Sequence, residues 1–90
     1  MKIYVPGLLT SYTQGVNSIE VAPIDGGSTL ETLLAELDRR YPGIRFRIVD
    51  EQDRIRRHIR IFVETRQVDE LSAPVPGTGE VMIVGALSGG

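Results

Sequence analysis

Apolar side chains recur every second residue in some stretches of this chain and every third or fourth in another, and the switch between these periods outlines its elements. Lys2–Val5 is short, alternating and rich in β-formers, and Pro6-Gly7 closes it, so it predicts a first strand. The polar stretch TSYTQGVN reads as turn. Alternation returns over Ser18–Ile24, with Ile19 and Val21 on one face, and two short strands in succession suggest a hairpin. The period then lengthens. Leu30, Leu33, Leu34, Leu37 and Tyr41 fall on one face of a helix predicted over 29–41. Ser28 and Glu31 have the spacing of a capping box, in which hydroxyl and carboxylate satisfy free N–H groups reciprocally. Arg39 and Arg40 suit the negative end of the helix dipole, and Pro42-Gly43 stops it.

Beyond the helix the pattern is less decided. Ile44, Phe46 and Ile48 alternate like a strand, while Ile44, Ile48 and Val49 also suit one helical turn. A short helical turn or irregular link fits better, followed by an exposed turn at 50–53. Arg57–Thr65 is a strong strand, with Ile59, Ile61 and Val63 facing one way and Arg60 and Phe62 the other. RQV adds a very short strand, DELSAPVPGTGE is a loop, and Glu80–Leu87 is the last strand. One long helix among these strands predicts an α+β fold. The economical form is a mixed four- to five-stranded sheet with the helix packed on one face; with first and last strands side by side at the centre it would be the β-grasp (ubiquitin-like) arrangement, although pattern alone does not fix strand order.

Ninety residues make one domain, expected to span 1–90 with a flexible tail over 86–90. The chain has no cysteine, which excludes disulfides, thiolate metal sites and a thiol nucleophile. A net charge of −2 provides no global basic field for nucleic acid. The N-terminus lacks a signal-peptide apolar core, and no apolar run approaches the roughly 20 residues needed to cross a bilayer. The expectation is a cytoplasmic domain, monomeric alone, with no nucleic-acid or membrane partner.

Few side chains carry chemistry. His58 is the only histidine and has no metal partner in the pattern. Asp50, Glu51 and Asp53 lack the ligand series of a calcium loop. Asp25-Gly26-Gly27 precedes the helix without a P-loop lysine. Arg54, Arg56, Arg57 and Arg60, with Arg45 and Arg47, form a basic run suited to a solvated edge or an acidic protein surface; Phe46 and Phe62 are too scattered for base stacking. No metal or bound cofactor is expected. Alternation also places Phe62, Met82 and Val84 on the sheet face away from the helix, as a candidate apolar docking patch.

The helix GSTLETLLAELDRRYPGI, the middle strand and turn HIRIFVETRQV, and the final GTGEVMIVGALSGG together resemble the ThiS/MoaD family of ubiquitin-like sulfur carriers. They span most of the chain from Gly27 to Gly90, and the terminal Gly-Gly is the most specific part. Relatives usually turn on Asn-Gly or Asn-Asp after the middle strand, where this chain has Glu64-Thr65-Arg66. The resemblance implies a protein co-substrate and not an enzyme. In that role the Gly90 carboxylate is adenylated with ATP by an E1-like (MoeB/ThiF-type) adenylyltransferase, becomes a thiocarboxylate and passes sulfur to an acceptor enzyme. Gly89 and Ser88 suit threading of the tail into a narrow channel, since glycine has no Cβ and a broad φ/ψ range. Phe62, Met82 and Val84 would be the docking face. A molybdopterin- or cysteine-type route is favoured, with thiamin and tRNA thiolation as further routes. A modifier conjugated to lysines through Gly90, or a plain interaction domain, are the alternatives.

Overall fold

The computed structural model describes residues 1–22 and 27–85. Strand β1 (Lys2–Tyr4) leads into a single 3-10 turn at Gly7–Leu9, and β2 (Ser18–Glu20) follows. Next come β3 (Ser28–Thr29), helix α1 (Leu30–Arg40) and the short helix α2 (Ile44–Ile48). The remaining strands are β4 (Ile59–Val63), β5 (Arg66–Val68), β6 (Pro74–Val75) and β7 (Glu80–Gly85). The main sheet has five strands in the order β2-β1-β7-β4-β5. β1 and β7 run parallel at its centre, and the other pairs are antiparallel. This is the expected α+β β-grasp arrangement. A parallel central pair needs a crossover, and β2, α1 and the segment after it supply one.

The inward rows are apolar across the sheet. Ile19, Ile3, Val81 and Val63 stand opposite one another in register, and Ile83 faces Ile61. With Leu30, Leu33, Leu34 and Leu37 of α1, and Ile44, Ile48 and Val49 after it, they form one buried cluster. Each fully buried Leu or Ile contributes about 1.5–3 kcal/mol. α2 resolves the ambiguous stretch as helical, because Ile44 and Ile48 at i, i+4 both reach the core while Phe46 points outward, 56% exposed. Asp38 Oδ1 accepts from the N–H groups of Gly43 and Arg45, tying the start of α2 to the end of α1. Gly43 makes the reversal at φ +98°, a conformation disfavoured for residues with a Cβ.

Two expectations need correction. Ser28 does not cap α1: it pairs with Val75 in a second, two-stranded sheet that the loop reading of 69–80 did not contain. The helix therefore starts one residue later. Thr29 is the N-cap, its Oγ1 accepting from Thr32 N at 3.3 Å, and the Ser28 hydroxyl is buried without a partner. Glu31, now one position too early for a capping box, turns instead to Arg45 with Nη2–Oε1 at 2.8 Å. The stop predicted at Pro6-Gly7 holds, and beyond it Gly7–Leu9 forms a 3-10 turn with Leu9 buried. The turn after β4 keeps its hairpin register without glycine or asparagine, and Glu64 takes φ +59°. The predicted extension of β2 to Ile24 and of β7 to Leu87 falls partly outside the described residues, as does the whole tail of 86–90.

Candidate functional site

Since β1 and β7 are parallel, whatever follows β1 sits at the same end of the sheet as whatever follows β7. The 3-10 turn after β1 consequently lies against the end of β7. A Cβ built on Gly85 would come 2.0 Å from Leu8 Cδ2, so the Leu8 side chain covers that backbone directly. On its other side Gly85 pairs with Ile59 of β4. The point where the chain leaves the sheet toward its C-terminus is thus held between a core strand and an exposed leucine. Ser88, Gly89 and Gly90, the residues expected to carry the chemistry, lie outside the described residues.

The outward face of the sheet brings the three candidate docking residues together. Met82 stands opposite Phe62 on β4, and Val84 opposite Arg60. Met82 is 46% exposed, whereas Phe62 and Val84 are half-buried, so the open apolar surface is narrower than alternation alone suggests. Tyr4, on the other flank of Met82, extends the row; the alternation of β1 around inward Ile3 was the available signal for it. Its hydroxyl donates to Glu80 Oε2 at 3.1 Å, and Lys2 Nζ sits 5.7 Å from its ring centre. The row Tyr4–Met82–Phe62 thus has an apolar middle with Lys2 and Glu80 paired one step along.

The basic run divides into two groups. Arg45 is occupied by Glu31 and Asp53, and joins α1 to α2 and the following turn. Arg47, Arg56 and His58, by contrast, line a shallow cleft whose other wall is Leu8, Leu9 and Tyr12. Arg47 Nε donates to the Tyr12 hydroxyl; Arg56 Nε donates to the Phe46 carbonyl at 2.7 Å, with its guanidinium 4.7 Å from the Phe46 ring. Arg60 Nη1 donates to the Arg57 carbonyl at 2.7 Å. Leu8 and Phe46 are both broadly exposed; Leu8 was missed from sequence because it sits in no periodic surface pattern. In the turn at 50–53, Asp50 Oδ1 accepts from Gln52 N and Arg54 N, bonds that hold its carboxyl below the usual range. Among the described residues no cluster of His, Asp or Glu is arranged to hold a metal ion. No helix there is long and apolar enough to cross a membrane.

No protein-family model matches the sequence, and no curated protein matches it. Solved structures do. A chain in the crystal structure of the Amycolatopsis orientalis BexX/CysO complex is 27% identical, with a TM-score of 0.84 over 99% of this chain and 98% of that one. CysO of Mycobacterium tuberculosis, described as an antigen, is 24% identical, with a TM-score of 0.83 over 96% of this chain and 98% of that one. SAMP1 of Haloferax volcanii is 20% identical, with a TM-score of 0.80 over 100% and 98%. The last two speak for the fold alone, and the first adds sequence agreement along almost the whole chain. By fold order, sheet register and this likeness, the chain has the ubiquitin-like β-grasp fold and is similar, along almost its whole length, to a chain of the BexX/CysO complex.

Proposed function

We propose that this chain is a sulfur carrier, a protein co-substrate whose Gly90 carboxylate is activated and thiolated by partner enzymes. The observation that carries the reading is the near full-length likeness to the CysO-containing complex, at 27% identity. A carboxylate is a poor electrophile at neutral pH. In the proposed route its oxygen attacks the α-phosphate of ATP, pyrophosphate leaves, and an acyl-adenylate results. Sulfide then displaces AMP, so a C–S bond forms as the C–O bond to phosphate breaks; a persulfide in its place gives an acyl disulfide, whose S–S bond a second thiol of the enzyme cleaves, leaving the thiocarboxylate and an enzyme disulfide. All of this takes place in an E1-like, MoeB/ThiF-type enzyme; the carrier supplies only the acyl group and the surfaces that present it, and holds no cofactor of its own.

The fold suits that role. β7 has hydrogen-bonded neighbours on both sides, so the last described residue is fixed relative to the outward face of the sheet. A partner seated on Tyr4, Phe62, Met82 and Val84 therefore meets the end of β7 at a set distance. The neighbour's assembly with BexX favours a partner protein of this kind for the present chain as well. A sulfur-acceptor enzyme of the molybdopterin or cysteine type completes the proposal.

Intact-mass spectrometry tests it. The chain is incubated with ATP, a sulfide source and the E1-like enzyme of the same organism, beside a Gly90-deleted control. Replacement of one carboxylate oxygen by sulfur in the full chain only is the expected result. An adenylate that never takes up sulfur, with conjugates to lysine, would turn the reading to a modifier. No mass change with an enzyme active on its own carrier would leave an interaction domain.

A further inference from the structure

Net charge is −2, yet seven of the nine arginines fall between positions 45 and 66. Arg39 and Arg40 share Glu36, and Arg45 is paired with Glu31 and Asp53. Arg47, Arg56, Arg57 and Arg60 make no ion pair among the described residues. They are not loose, however. Arg47 is bonded to Tyr12, Arg56 is bonded to the Phe46 carbonyl and stacked on its ring, and Arg60 is bonded to the Arg57 carbonyl. A guanidinium carries five donors, so each keeps N–H groups for another acceptor while its position is already set.

Two of these cations, Arg47 and Arg56, share a cleft with Leu8, and Arg60 stands opposite Val84 near the end of β7. Arg60 faces Val84, Ile59 faces Gly85, and Leu8, which covers Gly85, forms the apolar wall of the cleft bordered by Arg47, Arg56 and His58. We infer that this cleft receives an acidic segment of the enzyme that takes the C-terminus, a stretch of Asp or Glu with an interspersed apolar side chain, laid beside the entering tail. The inference rests on the activation proposed above and adds the chemistry of the partner. Carboxylates suit the pre-positioned guanidiniums, and the apolar residue suits Leu8 and Leu9. A nucleic acid fits less well: Phe46 is already stacked by Arg56, and the Tyr12 ring has the Arg47 guanidinium 5.7 Å from its centre. Each ring already has a cation as its neighbour, and two isolated rings make no continuous base-stacking platform.

Charge pairing of this type speeds encounter and sets register, and salt screens it over about 8–10 Å. The test is steady-state adenylation of the full chain by the E1-like enzyme at low and high salt. Arg47→Glu reverses one cleft charge, and Arg47→Glu/Arg56→Glu deepens the reversal; Arg66→Glu, away from the cleft, is the equal-charge control. The two cleft variants are expected to raise KM by about tenfold or more at low salt, leave kcat unchanged, and flatten the salt dependence of KM. The control should behave as wild type. A double variant with wild-type melting, KM and salt dependence would overturn the inference. A second measurement does not depend on turnover: isotope-labelled protein titrated with a short Glu-Leu repeat peptide. Shifts confined to Leu8, Leu9, Tyr12, Arg47, Arg56 and His58 support the cleft, and shifts centred on Met82 overturn it. Tighter binding of an RNA oligonucleotide at the same residues would also overturn it. If wild type is never adenylated, the activation proposal fails and the titration alone decides the cleft.

Discussion

The Leu8–Gly85 contact can be tested by a pair of substitutions and their combination. Gly85 lies in ordinary extended backbone, so alanine there meets no backbone strain; it meets Leu8, whose Cδ2 and Cγ would stand 2.0 and 3.1 Å from the new Cβ. Leu8 is 44% exposed and can swing into solvent. A little over half of its burial is then lost, about 1–1.5 kcal/mol of the roughly 1.5–3 kcal/mol for a fully buried leucine. Alanine for glycine returns about 0.4–1 kcal/mol through the unfolded chain. Gly85→Ala should therefore cost about 0.5 kcal/mol and Leu8→Ala about 1 kcal/mol, while the double variant, with no clash left, costs about 0.5 kcal/mol. The expected coupling is about 1 kcal/mol, which urea melts with a constant slope resolve, and Tm shifts of about 4–8 °C per kcal/mol check it. Additivity of the two single effects within about 0.3 kcal/mol would refute the contact.

Met82→Asp places a charge on an exposed position and should leave Tm within a few degrees while raising the KM for adenylation about tenfold. An unchanged KM in that variant would remove the outward face from the docking account. Glu64→Asn relieves a glutamate at φ +59° and should stabilise the hairpin by about 0.5–1 kcal/mol, read as a higher urea midpoint; a lower one would show that the turn prefers glutamate. The hydrogen bonds of Arg39, and then of Arg40, lower Glu36 from its ordinary 4.5 to about 2. Because the folded value is depressed, this small surface contribution is complete above pH 4.5 and is lost as pH falls toward 2. Glu36→Gln should melt slightly below wild type at pH 7 and converge with it near pH 2. A gap that persists there would mean that the glutamate acts through packing.

The sequence by itself determined the strands with one buried face, the long helix and the sides to which their residues point. Alternation in β4 and β7 and the leucine spacing of α1 are imposed by burial of a single face, and a one-residue slip would have exposed the core. The adjacency of Phe62, Met82 and Val84 was legible for the same reason. Features that depend on distant partners were not legible. Ser28 reads as a cap until Val75 arrives to pair with it, and Glu31 reads as the return half of the box until Arg45 is folded within reach. α2 was undecided because five residues are too short for periodicity to separate strand from helix, and Asp38, outside the segment, anchors its first turn. The position of Leu8 over Gly85 required the parallel pairing of β1 with β7, a contact between chain segments far apart in sequence. Folding also sorts arginines that are merely frequent in sequence: Arg45 is paired with Glu31 and Asp53, while Arg47 and Arg56 line a cleft with Leu8. Local periodicity reports which face of an element is buried; only the tertiary structure decides which element lies across from it.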